Sequence, residues 1–288
     1  MPEQKLTYGI IGNTVKHSLS PVMHNTAFKA LAVDAVYQLF PLEEDEVESF
    51  LKDVRKTTSP IFGLNVTVPY KEKVIPFLDA LSPFAQKAMA VNTIVVEPDR
   101  HLIGHNTDGA GFLAHLAELQ FDVKGKRIVV LGAGGTARSI LTAFCLLPQR
   151  PESIHLYNRT HQKAKGLVAD LGKRMDVGLV TVEASIDDLN IELADLLINT
   201  TSVGLHSDDP CLVDDSLIHS DMLVYDVIYR PAQTPLLKLS QAAGAKTANG
   251  LGLLFYQGVL SFQHWSGMPL DAKVKQKMRR SLEKGAAA

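Results

Sequence analysis

Apolar residues along the first hundred positions recur with two periods, one typical of half-buried strands and one typical of amphipathic helices. Helices are predicted from about residue 21 to 31, over residues 43–55, after Pro69, and over residues 82–88. Strands are predicted between them, over residues 6–11, 36–42, 61–68, 90–96 and 102–104. The first part of the chain is therefore expected to form an α/β domain.

From residue 123 onward, short apolar runs and helical segments alternate regularly, as in a parallel sheet covered by helices. Two further helices are predicted at the end, over residues 253–262 and 271–283. The first of these is so apolar that we expect it to cross back to the first domain. The strands of this part are predicted at residues 128–131, 154–157, 177–182, 194–199, 223–227 and 245–247, with helices at 140–146, 162–171 and 233–243.

A glycine-rich turn joins the first strand and helix of this second part. Gly132 permits a tight turn, and Gly134 and Gly135 have no side chain to keep a pyrophosphate from the backbone N–H groups. The helix N-terminus behind them adds a partial positive charge. Ala137 fills the last small-residue position of the motif. An ordinary tight turn is the alternative, but the setting between strand and helix favours a dinucleotide site.

The next predicted strand ends in Asn158, Arg159 and Thr160. In NAD sites this position usually holds an acidic residue that binds the ribose 2′-hydroxyl. Here no carboxylate would repel a 2′-phosphate, and a guanidinium is available to pair with it. The motif favours NADP over NAD, against the alternative of a surface arginine.

Three polar features of the first part have both a structural and a functional interpretation. Ser18 and Ser20 precede a predicted helix; Ser20 suits the N-cap, and the two hydroxyls could also hold a carboxylate. Lys71 follows Pro69, which is expected to open a helix; taken alone, it is more simply interpreted as a solvated surface lysine. Asp108 lies among small residues, where it either caps the next helix or places a carboxylate at a domain junction.

Composition narrows the class of protein. The 288 residues suffice for two domains, and 46% hydrophobic and 21% charged residues are ordinary for a soluble globular protein. A net charge of −2 indicates neither nucleic-acid binding nor a polybasic membrane patch. No apolar run reaches membrane-spanning length, and the N-terminus does not look like a signal peptide. The two distant cysteines, Cys145 and Cys211, fit a reducing cytoplasm, and no metal site is expected.

Several motifs, taken together, resemble those of the shikimate dehydrogenase family over nearly the whole chain. Each motif is modest alone, and their order and spacing carry the resemblance. The motifs are HSLSPVMHN at residues 17–25, NVTVPYK at 65–71, AVNTI at 90–94, NTDG at 106–109, GAGG at 132–135, NRT at 158–160, NTTSVG at 199–204, and NGLG at 249–252 followed by Gln257. Thr136 and Leu253 depart from the commonest family residues, which affects only local packing.

The resemblance implies an α/β protein of two domains. Residues 1–107 with 250–288 would form the N-terminal substrate-binding and catalytic domain, and residues 108–249 a C-terminal Rossmann-like NADP-binding domain. The last helices would return to the first domain. The implied reaction is the reversible reduction of 3-dehydroshikimate to shikimate by NADPH, as in aromatic amino acid and chorismate biosynthesis. No nucleic-acid or membrane partner is implied, and the protein would be a cytoplasmic monomer or homodimer.

The resemblance also assigns site residues. Lys71 and Asp108 match the catalytic pair, with Lys71 as acid and base supported by Asp108. The substrate site would contain Ser18, Ser20, Thr67, Lys71, Asn92, Asp108, Tyr229 and Gln257. The cofactor site would contain Gly132, Ala133, Gly134, Gly135, Thr136, Ala137, Asn158, Arg159, Thr160, Thr200, Ile228 and Gly250.

Three alternatives remain open from the sequence. A quinate/shikimate dehydrogenase of the same fold would accept quinate and often NAD, and one extra hydroxyl is a small difference for a site to discriminate. A ligand-sensing relative would bind without turnover, against which the intact Lys71 and Asp108 argue. A methylene-tetrahydrofolate dehydrogenase would not need the Ser18 and Ser20 site.

Overall fold

The computed structural model of the chain describes residues 5–206 and 208–287. It divides into two compact units, Met1–Gly111 with Leu254–Ala288, and Phe112–Leu253. We call them unit 1 and unit 2. The chain passes from one to the other within two helices, after Gly111 and after Leu253.

Unit 1 is built on a mixed six-stranded sheet. Its strands are β1 (Leu6–Gly12), β2 (Ala35–Pro41), β3 (Ile61–Val66), β4 (Ala80–Leu81), β5 (Thr93–Val96) and β6 (Leu102–His105), in the order β2-β1-β3-β5-β6-β4. Strands β1, β2 and β3 are parallel, and β5 runs antiparallel to both β3 and β6. Between these strands the chain forms three α-helices, α1 (Ser20–Ala30), α2 (Val47–Val54) and α3 (Pro83–Ala88).

Helix α2 covers one face of this sheet. Its apolar side chains, Val47, Leu51 and Val54, join the buried residues Leu64 and Ile94 of the strands in one core. On α2 these residues recur at three- and four-residue spacing, which is the spacing of a single helix face.

Unit 2 is a six-stranded sheet in which every pairing is parallel. Its strands are β7 (Arg127–Leu131), β8 (Ser153–Tyr157), β9 (Val180–Val182), β10 (Leu196–Asn199), β11 (Leu223–Asp226) and β12 (Lys246–Ala248). The order β12-β11-β10-β7-β8-β9 is that of a doubly wound Rossmann sheet. Helices α4 (Asp108–Glu118), α5 (Gly135–Leu146), α6 (His161–Gly172) and α7 (Pro235–Ala242) accompany these strands.

Both faces of the unit 2 sheet are buried, as a continuously apolar strand requires. Along β7, Ile128 and Val130 enter one core, whereas Val129 and Leu131 enter another on the opposite face. The expected Rossmann-like α/β fold is confirmed.

Two long helices end the chain, α8 (Leu251–Ser266) and α9 (Ala272–Ala287). From Leu254 onward they belong to unit 1, so the expected return of the last helices to the first domain is confirmed. Trp265 of α8 lies 5.2 Å from Tyr8 between ring centroids, and Phe262 lies 5.1 Å from Phe28. These aromatic contacts dock α8 on β1 and α1.

Two local predictions were wrong. Pro69 does not open a helix: the Val68–Pro69 peptide is cis, Tyr70 N–H bonds to Thr67 O at 2.9 Å, and turns lead to a short 3₁₀ helix at Ile75–Phe77. A proline at this position is compatible with a β-turn and with the first turn of a helix. The i→i+3 hydrogen bond shows that the chain forms a β-turn. Ser20 is not the N-cap: it is the first residue of α1, Leu19 is the N-cap, and the Ser20 N–H donates to Ser18 Oγ at 3.2 Å.

Candidate active site

The topology of unit 1 brings several polar segments to one edge of its sheet. The carboxyl ends of the parallel strands β1 and β3 lie at this edge, since Ile11 pairs with Val66. The start of β5 and the end of β6 lie there too, because Thr93 pairs with both Asn65 and His105. The segments that leave or enter at this edge carry Ser18, Ser20, Thr67, Lys71, Asn92 and Asp108.

Lys71 and Asp108 form a buried ion pair. Lys71 Nζ lies 2.6 Å from Asp108 Oδ2, and their side chains are only 10% and 6% exposed. Lys71 sits in the turn after β3, where its carbonyl accepts a hydrogen bond from Val91 N–H at 2.7 Å. Asp108 begins α4, and its N–H bonds to Asn106 Oδ1 at 3.1 Å. Two charges so far from water need additional hydrogen bonds to be stable.

Asn92 supplies those hydrogen bonds. Its Nδ2 donates to Asp108 Oδ1 at 2.8 Å, so both carboxylate oxygens of Asp108 accept a bond. Its Oδ1 accepts the Thr107 N–H at 2.8 Å, which fixes the side chain relative to the start of α4. Asn92 thereby orients the carboxylate that holds Lys71.

Gln257 of α8 reaches the same cluster. Its Oε1 accepts from Asn92 Nδ2 at 3.3 Å, and its side chain is buried. The approach depends on Gly111 of α4, where a Cβ would lie 2.7 Å from the backbone nitrogen of Gln257. Only glycine allows the two helices to come this close.

The other predicted substrate residues are placed as follows. Ser18 is half-buried in the segment that joins β1 to α1, and Ser20 is buried at the first position of α1. Thr67 is half-buried just after β3, where its N–H bonds to Ile11 O at 3.0 Å. Tyr229 is half-buried and belongs to unit 2, whereas the others belong to unit 1. Their roles toward the substrate stay predictions.

A layer of buried polar residues beneath this cluster was missed from the sequence. Asn65 Nδ2 donates to Ser261 Oγ at 3.0 Å and to Thr93 Oγ1 at 3.2 Å, and its Oδ1 accepts from Tyr37 at 2.7 Å. Ser261 lies one helical turn after Gln257, so its spacing was a signal that could have found it. The layer connects α8 to strands β2, β3 and β5.

The glycine turn of unit 2 lies between β7 and α5, at the point where the strand order reverses. Gly132 has φ of +105°, which favours glycine, and its N–H bonds to Tyr157 O at 2.8 Å. Gly134 is the N-cap of α5, and a Cβ on it would meet open space. Thr200, after β10, bonds to Leu131 O through both its N–H and its hydroxyl. Ala133, Thr136 and Ala137 continue the same turn into α5.

The segment after β8 lies beside the glycine turn because Tyr157 accepts the Gly132 N–H. Asn158 Nδ2 bonds to Thr160 O at 3.0 Å, and Arg159 between them is exposed. The open backbone at Gly134 and this exposed guanidinium fit a dinucleotide with a 2′-phosphate.

Ile228, after β11, and Gly250, after β12, lie next to each other. The Gly250 N–H bonds to Ile228 O at 3.0 Å, and a Cβ on Gly250 would overlap Val227 O. Glycine is therefore required at this position. The family resemblance implies that the two residues border the nicotinamide, and this placement stays a prediction.

Residues 5–206 and 208–287 contain neither a candidate metal site nor a helix that could span a membrane. No group of three or more His, Cys, Asp or Glu side chains is arranged to hold a metal ion. No helix in these ranges combines the length and apolarity needed to cross a bilayer.

Comparisons with family models and with curated proteins identify similar sequences. A family model described as "Shikimate dehydrogenase substrate binding domain" matches residues 10–94, and one described as "Shikimate / quinate 5-dehydrogenase" matches residues 115–208. The chain is 45% identical to the NADP(+) shikimate dehydrogenase of Carboxydothermus hydrogenoformans, over 96% of both chains.

Solved structures extend the similarity to three dimensions. Shikimate dehydrogenase of Aquifex aeolicus superposes with a TM-score of 0.86 at 36% identity, covering 97% of this chain and 99% of the other. Shikimate 5-dehydrogenase of Thermus thermophilus, solved with NADP(H) and shikimate, has a TM-score of 0.83 at 32% identity, covering 97% and 99%. The chain belongs to the shikimate dehydrogenase family.

Proposed function

We propose that this protein catalyses the reversible, NADPH-dependent reduction of 3-dehydroshikimate to shikimate. The observation that carries the proposal is the buried Lys71–Asp108 ion pair, held by Asn92 at the edge of the unit 1 sheet. The family relationship supports the same reaction. Unit 1 would bind the substrate and unit 2 the NADP.

Lys71 carries the proton transfer. When NADPH is bound it supplies a hydride to the carbonyl carbon, which leaves the carbonyl oxygen needing a proton. The Lys71 ammonium donates that proton, and in the reverse direction the neutral amine accepts it from the hydroxyl. Asp108 and Asn92 hold the ammonium in place and keep its buried charge compensated.

The remaining polar side chains orient the substrate. Ser18 precedes α1 and Ser20 is its first residue, so both hydroxyls lie at a helix N-terminus, which favours a carboxylate. The ring hydroxyls would be held by Thr67, Asn92, Asp108, Gln257 and Tyr229.

Unit 2 would bind NADP through its glycine turn and the segment after β8. The backbone N–H groups around Gly134 are open to a pyrophosphate, and Arg159 is exposed for the 2′-phosphate. Asn158 and Thr160 shape the loop that presents this arginine.

The test is the absorbance of NADPH during turnover by the purified protein. Shikimate and quinate are each tried with NADP and with NAD, using wild type and Lys71→Ala. Dominant activity with shikimate and NADP, lost in Lys71→Ala, is the expected result. Equal activity with quinate or NAD would instead favour the quinate/shikimate alternative, to which the second family model's name also points. Ligand binding without any hydride transfer would identify a sensing relative.

The protein would be located in the cytoplasm. Both cysteines are free, one buried and one half-buried, which is the state expected in a reducing cytoplasm. Cell fractionation tests the location. The protein would be a monomer or a homodimer, and light scattering of the purified protein distinguishes the two.

A further inference from the structure

A fully buried carboxylate, Asp226, stands at the carboxyl end of β11 without an assigned role. It is 0% exposed. Its Oδ1 accepts from Asn199 Nδ2 and from the Ile228 N–H, both at 3.0 Å, and its Oδ2 accepts from Thr234 Oγ1 at 2.7 Å. These three donors are all neutral, and burial raises the pKa of the Asp226 carboxyl. A buried acidic group is costly, so its position calls for a reason.

Two loops at this edge of the sheet are tied together by that carboxylate. Asn199 ends the neighbouring strand β10, and its own side chain accepts from the Thr201 N–H at 2.9 Å and donates to Val203 O at 3.1 Å. Thr234 is the N-cap of α7. Asp226 therefore joins the loop after β10 to both ends of the loop that runs from β11 to α7.

The loop from β11 to α7 contains Ile228, which Asp226 holds at its N–H while Gly250 holds its carbonyl. The loop after β10 begins with Thr200, which is bonded to the glycine turn through Leu131 O. Of the residues fixed in this way, Ile228 and Gly250 are those that the family resemblance implies near the nicotinamide, and Thr200 is expected at the cofactor site. The residues expected around the 2′-phosphate, near Arg159, are fixed by other bonds.

We infer that Asp226 is a positioning residue that sets the nicotinamide side of the cofactor site through Ile228, Asn199 and Thr234. This inference rests on the NADP binding proposed above. It requires that loss of the carboxylate weakens binding of the whole dinucleotide while leaving the adenosine 2′-phosphate half unaffected.

The experiment is calorimetric titration of the full-length protein with NADPH and with adenosine 2′,5′-bisphosphate, which lacks the nicotinamide. The variants are Asp226→Asn and Thr234→Val, the second of which keeps the carboxylate and serves if the first does not fold. Asp195→Asn is the matched control. Asp195 is a partly buried carboxylate that precedes β10 at the opposite edge of the same sheet, bonded to Lys126 and the Arg127 N–H.

The expected result is a loss of NADPH affinity of about tenfold in Asp226→Asn and Thr234→Val, since a hydrogen bond to a charged group is lost or weakened in each. Affinity for adenosine 2′,5′-bisphosphate stays within about twofold, and Asp195→Asn changes neither affinity. Parallel loss of both affinities, or no loss in either variant, would overturn the inference. Wild-type protein that binds neither ligand would reject the proposed cofactor itself, which separates the two failures.

Discussion

Asn92 donates a hydrogen bond from Nδ2 to Asp108 Oδ1 at 2.8 Å, on the carboxylate whose other oxygen lies 2.6 Å from Lys71 Nζ. The amide and the ammonium thus share one carboxylate, and each fixes a different oxygen. This leaves the Lys71 side chain with a defined direction in a site from which water is largely excluded. A proton donor needs such a direction before its pKa matters.

Replacing Lys71 by alanine should lower kcat by about 10²–10⁴-fold, because this is the usual contribution of a positioned acid or base. Steady-state rates with shikimate and NADP measure the change. Lys73→Ala is the control, since Lys73 is a solvent-exposed lysine two residues away that pairs with Glu44. Wild-type-like kcat in Lys71→Ala would remove Lys71 from the proton transfer.

Replacing Asp108 by asparagine should destabilise the protein by about 3–5 kcal/mol, because it leaves the Lys71 charge buried without its partner. Urea unfolding followed by circular dichroism measures the loss. The double variant Lys71→Met with Asp108→Asn removes both charges and should recover most of the stability while remaining inactive. Equal destabilisation in the single and double variants would mean that packing, and not charge, determines the effect.

One glycine of the glycine turn can be replaced by alanine without loss of stability. Gly134 has φ of −96°, which any residue can adopt, and a Cβ there meets only open space. Gly134→Ala should fold normally yet weaken NADP binding by about 10–100-fold, since the methyl group would keep a phosphate from the backbone N–H groups. Calorimetric titration with NADP measures the binding.

A matched glycine-to-alanine control lies in helix α6. Gly166 is exposed, and a Cβ on it also meets open space. Gly166→Ala should stabilise the protein by about 1 kcal/mol, because alanine is the better helix former, and should not change NADP affinity. Unchanged affinity in Gly134→Ala would argue against the glycine turn as the pyrophosphate site.

Local sequence patterns predicted the strands and helices of this fold well, because strand alternation and the glycine turn depend on residues close together in the sequence. The helix expected after Pro69 was wrong because the same residues also satisfy a turn, and the choice depends on the Tyr70 N–H finding Thr67 O. The Asn65–Ser261 bond joins residues 196 positions apart. No local pattern encodes such a pairing, so the polar layer beneath the site emerged only in three dimensions.

Arg159 should determine the preference for NADP. Arg159→Ala removes a charge-assisted hydrogen bond to the 2′-phosphate and should raise the KM for NADP by about 10–100-fold, while the KM for NAD stays the same. Steady-state kinetics with both cofactors measure the ratio. Arg150→Ala is the control, since Arg150 is an exposed arginine of unit 2 that pairs with Asp176. A parallel rise for NADP and NAD would show that Arg159 does not read the 2′-phosphate.

His24 should make the stability of the protein depend on pH. It is 0% exposed, its ring stacks on Tyr37 at 4.5 Å between centroids, and neither ring nitrogen has a hydrogen-bond partner among the described residues. Burial lowers the pKa of His24 from 6.5 to about 3.

The sign of the effect follows from this lowered pKa. Well above pH 6.5 His24 is neutral in both the folded and the unfolded chain, so its protonation takes nothing from the free energy of unfolding. As the pH falls from 6.5 toward about 3, only the unfolded chain takes up the proton, and the free energy of unfolding decreases. Between about pH 8 and pH 5 the loss from this one group is about 2 kcal/mol.

Urea unfolding of wild type and His24→Phe across that pH range isolates the contribution of His24. Phenylalanine keeps an aromatic ring on Tyr37 but cannot be protonated, so its unfolding free energy should decline less steeply toward acid than that of wild type. Any packing cost of the larger ring shifts the whole curve by a constant and leaves its slope unchanged. His24→Gln, which is also uncharged, repeats the comparison if the phenylalanine variant does not fold. Parallel curves for wild type and both variants would mean that His24 is protonated in the folded protein as readily as in the unfolded chain.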